Sequence, residues 1–419
     1  MTPDDRALLT GLFQAAVLAA DPVAALGGNL PARPKGRVVV IGAGKGAAQL
    51  AAAFEDLWDG ALTGVVVTRY GYAAPCRQVR VIEAAHPVPD LAGLAGSQAL
   101  FQAVRGLTAD DLVVALICGG GSALLPCPPG SLTLEDEAGL NRALLASGAP
   151  ISVMNAVRKQ VSGIKGGRLA AACFPAKLVS LVVSDVPGDD PAQVASGPTI
   201  PDAVSRETAR AMVAAWRIEL PPRVAEWLAG EVGRAPLPSD PVFAGHEVRV
   251  IASARHSLEA AAAQAVALGV PAVILSDAME GEAREVGRVQ AALAREVAAR
   301  GRPFVRPVVM LSGGETTVTL RGQGRGGRNS EFLLALALAA EGVNFAGLAA
   351  DTDGIDGSED NAGAFADGGS MARLRALGAD PAALLAANDA WTAFDRLGDL
   401  FVTGPTGTNV NDFRAILLR

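Results

Sequence analysis

Short apolar runs alternate with longer stretches of helical periodicity along most of the chain. Arg37–Ile41, Val65–Thr68, Val79–Ala84, Leu112–Cys118 and Leu178–Val183 have the length and continuity of buried strands. Between them, the segments ending near Trp58, over Asp90–Val104 and over Ile151–Cys173 read as helices, the last broken at Gly166-Gly167. Strands without polar alternation, joined by helices, form parallel sheets covered on both faces. The proline-rich stretch Arg234–His246 interrupts this rhythm. It then restarts with strands at Val248–Ile251, Ala272–Leu275 and Val308–Leu311 and helices at Arg255–Leu268 and Glu282–Ala299. Thr316–Leu320 alternates as an antiparallel strand does. The pattern predicts an α/β fold in two domains, residues 1–236 and 237–419.

Composition narrows the chemistry. Half of the 419 residues are hydrophobic but only 4% are aromatic, so Ala, Leu and Val must fill the cores. The net charge of −7 leaves no general basic face, which argues against nucleic-acid binding. No apolar run reaches membrane-spanning length. The N-terminus carries acids where a secretion signal needs positive charge, and the four cysteines show no paired spacing, so a reduced, cytoplasmic chain is expected. With three histidines, none near paired cysteines, a zinc site is not expected.

In an acidic chain, clustered cations beside glycines are informative. Gly42-Ala43-Gly44-Lys45-Gly46 follows the first strand, and Gly322-Gln323-Gly324-Arg325-Gly326-Gly327-Arg328 lies in the second half. Glycines let backbone N–H groups approach an oxyanion, and Lys45, Arg325 and Arg328 add full charge. The first cluster also fits G-x-G-x-x-A through Gly42, Gly44 and Ala47, a dinucleotide fingerprint. The acid that the fingerprint requires after the second strand is missing: the strand ends Val67-Thr68-Arg69-Tyr70. A tight turn with an exposed lysine explains the same residues. Gly119-Gly120-Gly121-Ser122 offers main-chain amides at another strand end, Gly120, Gly121 and Ser122 being candidates for anion contact. Asn155, Arg158, Lys159 and Ser162 share one helix face, close to Lys165. Asp189 follows the strand ending at Val183, where a carboxylate can accept a hydroxyl proton or hold Mg²⁺. Gly314 and Glu315 close another strand. Asp351 and Asp353 stand at alternate positions suited to a hard cation, or to ordinary turn caps. Asn409 lies in a small polar loop near the C-terminus, and no P-loop signature is present.

Together, the blocks Gly42–Lys45, Cys118–Leu125, Asn155–Leu169, Ser184–Asp202, Ser312–Glu331, Ala350–Gly357 and Thr403–Asp412 resemble the class II glycerate kinases, whose C-terminal part is the MOFRL domain. The resemblance spans about Leu8 to Leu417. It implies a Rossmann-like parallel-sheet N-terminal domain, a smaller mixed-sheet α/β C-terminal domain and an active-site cleft between them. It also implies phosphorylation of D-glycerate by ATP with Mg²⁺, most simply on the 2-hydroxyl, by a monomer or homodimer. Lys45 and Arg325 would then be the central cations and Asp189 the group that handles the hydroxyl proton, with Asp353 a weaker candidate. Gly44, Gly120, Gly121, Ser122, Asn155, Arg158, Lys165, Gly314, Glu315, Arg328, Asn329 and Asn409 would bind substrate or phosphate, and Asp351 and Asp353 the metal. Two positions depart from the family pattern: Gln160 stands where relatives often carry His, and Ser330 where Gln is common. The alternatives are an NAD(P)H-dependent reductase of hydroxypyruvate or tartronate semialdehyde, and a non-catalytic sugar-acid binder.

Overall fold

A computed structural model describes all 419 residues. They form two compact units, residues 22–251 and residues 1–21 with 252–419. No helix is long and apolar enough to cross a membrane.

The strands of the first unit are β1 (Val38–Ala43), β2 (Thr63–Arg69), β3 (Val79–Ala84), β4 (Leu112–Cys118), β5 (Lys177–Val183) and β6 (Glu247–Ala252). They lie in the order β3-β2-β1-β4-β5-β6, and the pairs from β3 through β5 are parallel. This is the strand order of the doubly wound dinucleotide folds, and it reverses direction between β1 and β4. All residues of β1 and β4 are buried. Val39, Ile41 and Ala43 share a cluster with Leu100 and Val104 around the helix Leu91–Ala103, while the helix Ala47–Leu57 also packs against the sheet. Small residues make this covering possible: the helix Ala47–Leu57 presents Ala47, Ala48, Ala51 and Ala53 beside Leu50 and Phe54.

The second unit contains β7 (Ala272–Glu282), β8 (Val308–Thr317), β9 (Phe345–Asp351), β10 (Gly363–Asp367), β11 (Leu400–Phe401) and β12 (Asp412–Leu418). Their order is β11-β10-β9-β12-β8-β7, mixed in direction: β7 and β8 are parallel, and β12 is antiparallel to both β8 and β9. One face carries the helices Pro3–Ala19 and Ala254–Ala267, the other the helices Ala283–Arg300 and Arg328–Ala339. Phe332 to Ala337 are all buried, as befits a helix that is apolar on every side.

Three sequence expectations change here. The domain boundary read at 236/237 lies instead at 251/252, because Val248–Ile251 belongs to β6 at the edge of the first sheet. His246 Nε2 lies 3.0 Å from Ser180 Oγ and Glu247 pairs with Lys177, which tie β6 to β5. The first helix joins the second unit, since Leu9, Leu12, Phe13 and Ala16 bury against Leu258, Leu348 and Phe413. Thr316–Leu320 is no separate strand. β8 continues through Ser312-Gly313-Gly314-Glu315 to Thr317, and Gly314 lies inside it at φ +120, where a Cβ would come within 2.2 Å of the Met279 amide nitrogen.

Phe13 makes edge contacts with Phe401 (5.1 Å) and Phe413 (5.7 Å) at ring centroids. Phe13→Ala is expected to destabilise the second unit by about 3–5 kcal/mol through lost burial and a residual cavity, measured by urea titration.

Candidate active site

In doubly wound sheets, ligands collect outside the carboxyl ends of the strands where the order reverses. Here that place is the end of β1 and β4. The turn after β1 is fastened to its neighbours: Gly44 N–H donates to Val67 O (3.1 Å), Lys45 N–H donates to Gly119 O (2.8 Å) and Thr68 Oγ1 donates to Lys45 O (3.2 Å). Gly44 holds φ +133, and a Cβ there would lie 2.3 Å from Cys118 O, so only glycine lets this turn close against β4. Lys45 is half-buried and forms no ion pair.

The loop after β4 completes the corner. A Cβ on Gly120 would lie 3.0 Å from Lys45 Cγ and 3.2 Å from His86 Nε2. One on Gly119 would collide with the Asp185 carboxylate, and one on Gly121 with Ala195 Cβ. The three glycines therefore bring the ends of β1, β4 and β5 and the His86 loop together. The amides of Gly121 and Ser122 open a short helix and lack intrahelical acceptors. Ser122 Oγ lies 2.8 Å from Ser196 Oγ, which donates to Asn155 Oδ1 (2.9 Å). Arg158 donates to Asn155 Oδ1 (3.1 Å) and Asn141 Oδ1 (3.0 Å) but to no carboxylate. Burial lowers the proton affinity of its guanidinium, with Glu137 opposing. Lys45, Gly120, Gly121, Ser122, Asn155 and Arg158 thus belong to one connected region. Asp189 lies in the turn after β5 at φ +54, its N–H bonded to Val186 O at 3.1 Å.

Lys165 is turned to partners inside the first unit. It is buried and donates to Glu137 Oε1 (2.7 Å) and Leu125 O (3.0 Å), so its charge is already compensated. Gln160 is also buried, donating to Val204 O (2.9 Å), and serves packing instead of chemistry.

In the second unit, Arg325 stacks on Trp391 at 3.6 Å and pairs with Glu359, its Nε donating at 3.1 Å. The Glu359 hydrogen bond raises its proton affinity further. Below this loop, Asp412 is fully buried. It accepts from Arg328 Nε (2.6 Å), Asn329 Nδ2 (2.8 Å) and Thr316 N–H (3.2 Å), and pairs with the buried Arg414. Arg328 also bridges to Asp351 Oδ2 at 2.6 Å. Asp356 accepts from the amides of Asn329 (2.9 Å) and Ser330 (2.8 Å) and from Ser330 Oγ (2.7 Å), occupying the start of the helix Arg328–Ala339. Asn329 and Arg328, expected to touch phosphate, are therefore committed to internal carboxylates. Gly314 is buried inside β8, whereas Glu315 beside it is exposed. Asn409 accepts the Asn411 N–H at 3.0 Å.

No group of three or more His, Cys, Asp or Glu side chains could hold a metal ion by itself. A nucleotide-bound Mg²⁺ needs only one or two carboxylates. Asp351 is engaged by Arg328; burial raises its carboxyl's proton affinity well above the ordinary range despite that partner. Asp353 is half-buried and outside any ion pair; its carboxylate accepts the Ile355 N–H (2.9 Å), and it fits the role better.

Local sequence gave no site role to His86, Glu359, Trp391 or Arg414. His86 lies just beyond β3, so the rule that ligands gather at strand ends could have found it. The buried ion pairs of β12 left no such cue.

For Asp412, burial favours the neutral acid, but Arg414 and Arg328 outweigh it and hold the carboxyl below its ordinary value. Its stabilising contribution is thus present above the unfolded-state value and is lost as pH falls through the lower folded-state value. Asp412→Ala, which strands Arg414, is expected to cost about 3–5 kcal/mol, read as a lower denaturation midpoint at neutral pH.

Comparison with known proteins agrees with this architecture. A family model described as a domain of unknown function, DUF4147, matches residues 8–229, and the MOFRL family model matches residues 308–412. D-glycerate 2-kinase of Thermotoga maritima is 38% identical, with 97% of each chain covered. A putative hydroxypyruvate reductase of Agrobacterium vitis is 52% identical over 99% of this chain and 94% of its own. The crystal structure of a glycerate kinase from Thermotoga maritima superposes with a TM-score of 0.90 at 36% identity, covering 99% of both chains. On these grounds the chain belongs to the glycerate 2-kinase family, in which a DUF4147 domain precedes a MOFRL domain.

Proposed function

We propose that this protein transfers the γ-phosphoryl group of ATP to the 2-hydroxyl of D-glycerate. The observation that carries the reading is Lys45: a half-buried cation without a carboxylate partner, fixed beside the Gly119–Ser122 loop at the switch point of the first sheet. A lysine held in that state is suited to an incoming anion, here a carboxylate or phosphoryl oxygen. The amides of Gly121 and Ser122 add donors that need no side-chain reorganisation, and Arg158, reached through Ser122, Ser196 and Asn155, supplies a second cation without a carboxylate partner. Arg325 contributes a further guanidinium, oriented by Trp391 and exchanging Glu359 for phosphoryl oxygens. Phosphoryl transfer depends mainly on such placement of positive charge. A bound Mg²⁺, held by Asp353 and the nucleotide, would neutralise charge on the phosphates.

The identity to a protein named as a putative hydroxypyruvate reductase favours a second reading, hydride transfer from NAD(P)H. The first turn counts against it. Gly44 is closed against Cys118, and the turn carries the bulky Lys45 directly after it. The end of β2 bears Arg69 in place of a ribose-binding acid.

Incubation with ATP, Mg²⁺ and D-glycerate is expected to yield 2-phosphoglycerate, distinguished from the 3-isomer by phosphorus NMR. NADH absorbance with hydroxypyruvate is expected to stay constant. Lys45→Ala and Arg325→Ala are each expected to lower kcat by about 10²–10³-fold with little change in melting temperature. Near-normal turnover in either would remove that residue from the chemistry.

A further inference from the structure

The chain has three histidines, and two are explained by their surroundings. His246 Nε2 meets Ser180 Oγ at 3.0 Å, and His256 Nδ1 meets Ser253 Oγ at 3.2 Å. His86 is different. It is half-buried, yet neither ring nitrogen takes part in a hydrogen bond or ion pair within the protein. Its Nε2 and the Lys45 side chain approach the same point: an added Cβ on Gly120 would be 3.2 Å from one and 3.0–3.3 Å from the other. The ring therefore shares the corner where the proposed anion sits, with the Asp185 carboxylate against Gly119 on the β5 side.

We propose that His86 accepts the proton of the substrate hydroxyl during phosphoryl transfer. The inference rests on the kinase reading above and names the base for that reaction. The substrate O–H bond breaks and its proton goes to Nε2. The oxygen's electron pair forms the new O–P bond, while the bond between the γ-phosphorus and the bridging oxygen breaks, its electron pair staying on that oxygen as ADP leaves. The imidazolium then gives its proton to solvent.

Burial first, then Lys45 and Arg69, pull the His86 imidazole down to about 4, so the free protein carries it neutral with one nitrogen able to accept. Those two cations are also the groups an anionic substrate would offset. Binding of the carboxylate and phosphates therefore raises the imidazole's proton affinity at the moment it is needed. Arg69, stacked on Tyr72 at 4.4 Å and outside any ion pair, adds the smallest share to that lowering, after burial and Lys45. Asp189, the carboxylate that the sequence offered for this role, is placed by its own turn after β5.

The test compares purified wild type with His86→Gln and His86→Ala, using ATP, Mg²⁺ and D-glycerate. Glutamine can hydrogen-bond to a hydroxyl but cannot take its proton, so it separates orientation from proton transfer. Both variants are expected to lose about 10²–10⁴-fold in kcat, with KM for ATP and melting temperature close to wild type. A His86→Gln enzyme within about tenfold of wild-type kcat would overturn the proposal. Wild type serves as the control: product from wild type keeps the kinase reading intact whatever the variants do, and its absence sinks that reading itself.

Discussion

Asp412 is the first residue of β12, fully buried, and it receives Arg328, Arg414, Asn329 and Thr316. Removing charges from water costs several kcal/mol for each ion, so such a cluster persists only when every partner is present together. That condition makes it a register device. β12 must align Asp412 with Gly314 of β8 and Asp351 of β9, and the helix Arg328–Ala339 must begin where Arg328 can reach both acids. The glycine-rich loop ending at Arg328 and the acidic loop beginning at Asp351 are anchored at their bases as a result. Arg325 and Asp353 can then project from mobile-looking sequence while resting on a rigid footing.

The first unit solves a similar problem with glycine. Its sheet places the ends of β1 and β4 side by side, and the chain must turn away from both within a few residues. Gly44 closes against Cys118, while Gly119 and Gly121 make room for Asp185 and Ala195. The main-chain bond from Lys45 to Gly119 joins the two loops. Lys45 thereby occupies a fixed root with a side chain that no carboxylate claims.

The centre of the first sheet was legible because β1 and β4 are uninterrupted buried runs that lead into glycine. The second sheet was only half legible. β12 reads Asp-Phe-Arg-Ala-Ile-Leu-Leu, and its two charged residues disguise a completely buried strand. They face one another's partners across the sheet, a relation invisible along the chain. β10, Gly-Ala-Phe-Ala-Asp, is too short and too small in its side chains to stand out. Lys45 and the Gly120–Ser122 loop stood out because glycine clusters at strand ends mark them locally, and Arg158 because it shares a polar helix face with Asn155. For Lys165 and Asn329 the local sequence shows a cation or an amide, but not the Glu137 or Asp412 that bonds it in the fold.

The state of each cation therefore says more than its presence. Lys165, Arg328 and Arg414 have buried carboxylate partners, and a ligand would have to displace those at the expense of the fold. Lys45 and Arg158 have none and can meet an anion directly. Arg325 lies between these cases, since it pairs with Glu359 while its own side chain is half exposed to solvent. Its guanidinium lies over Trp391 at 3.6 Å, a contact that would hold its orientation in the proposed exchange. In the proposed reaction, a carboxylate that yields to phosphoryl oxygens would keep the arginine ordered before substrate arrives, and the exchange would be favoured most when the incoming oxygens carry the growing negative charge.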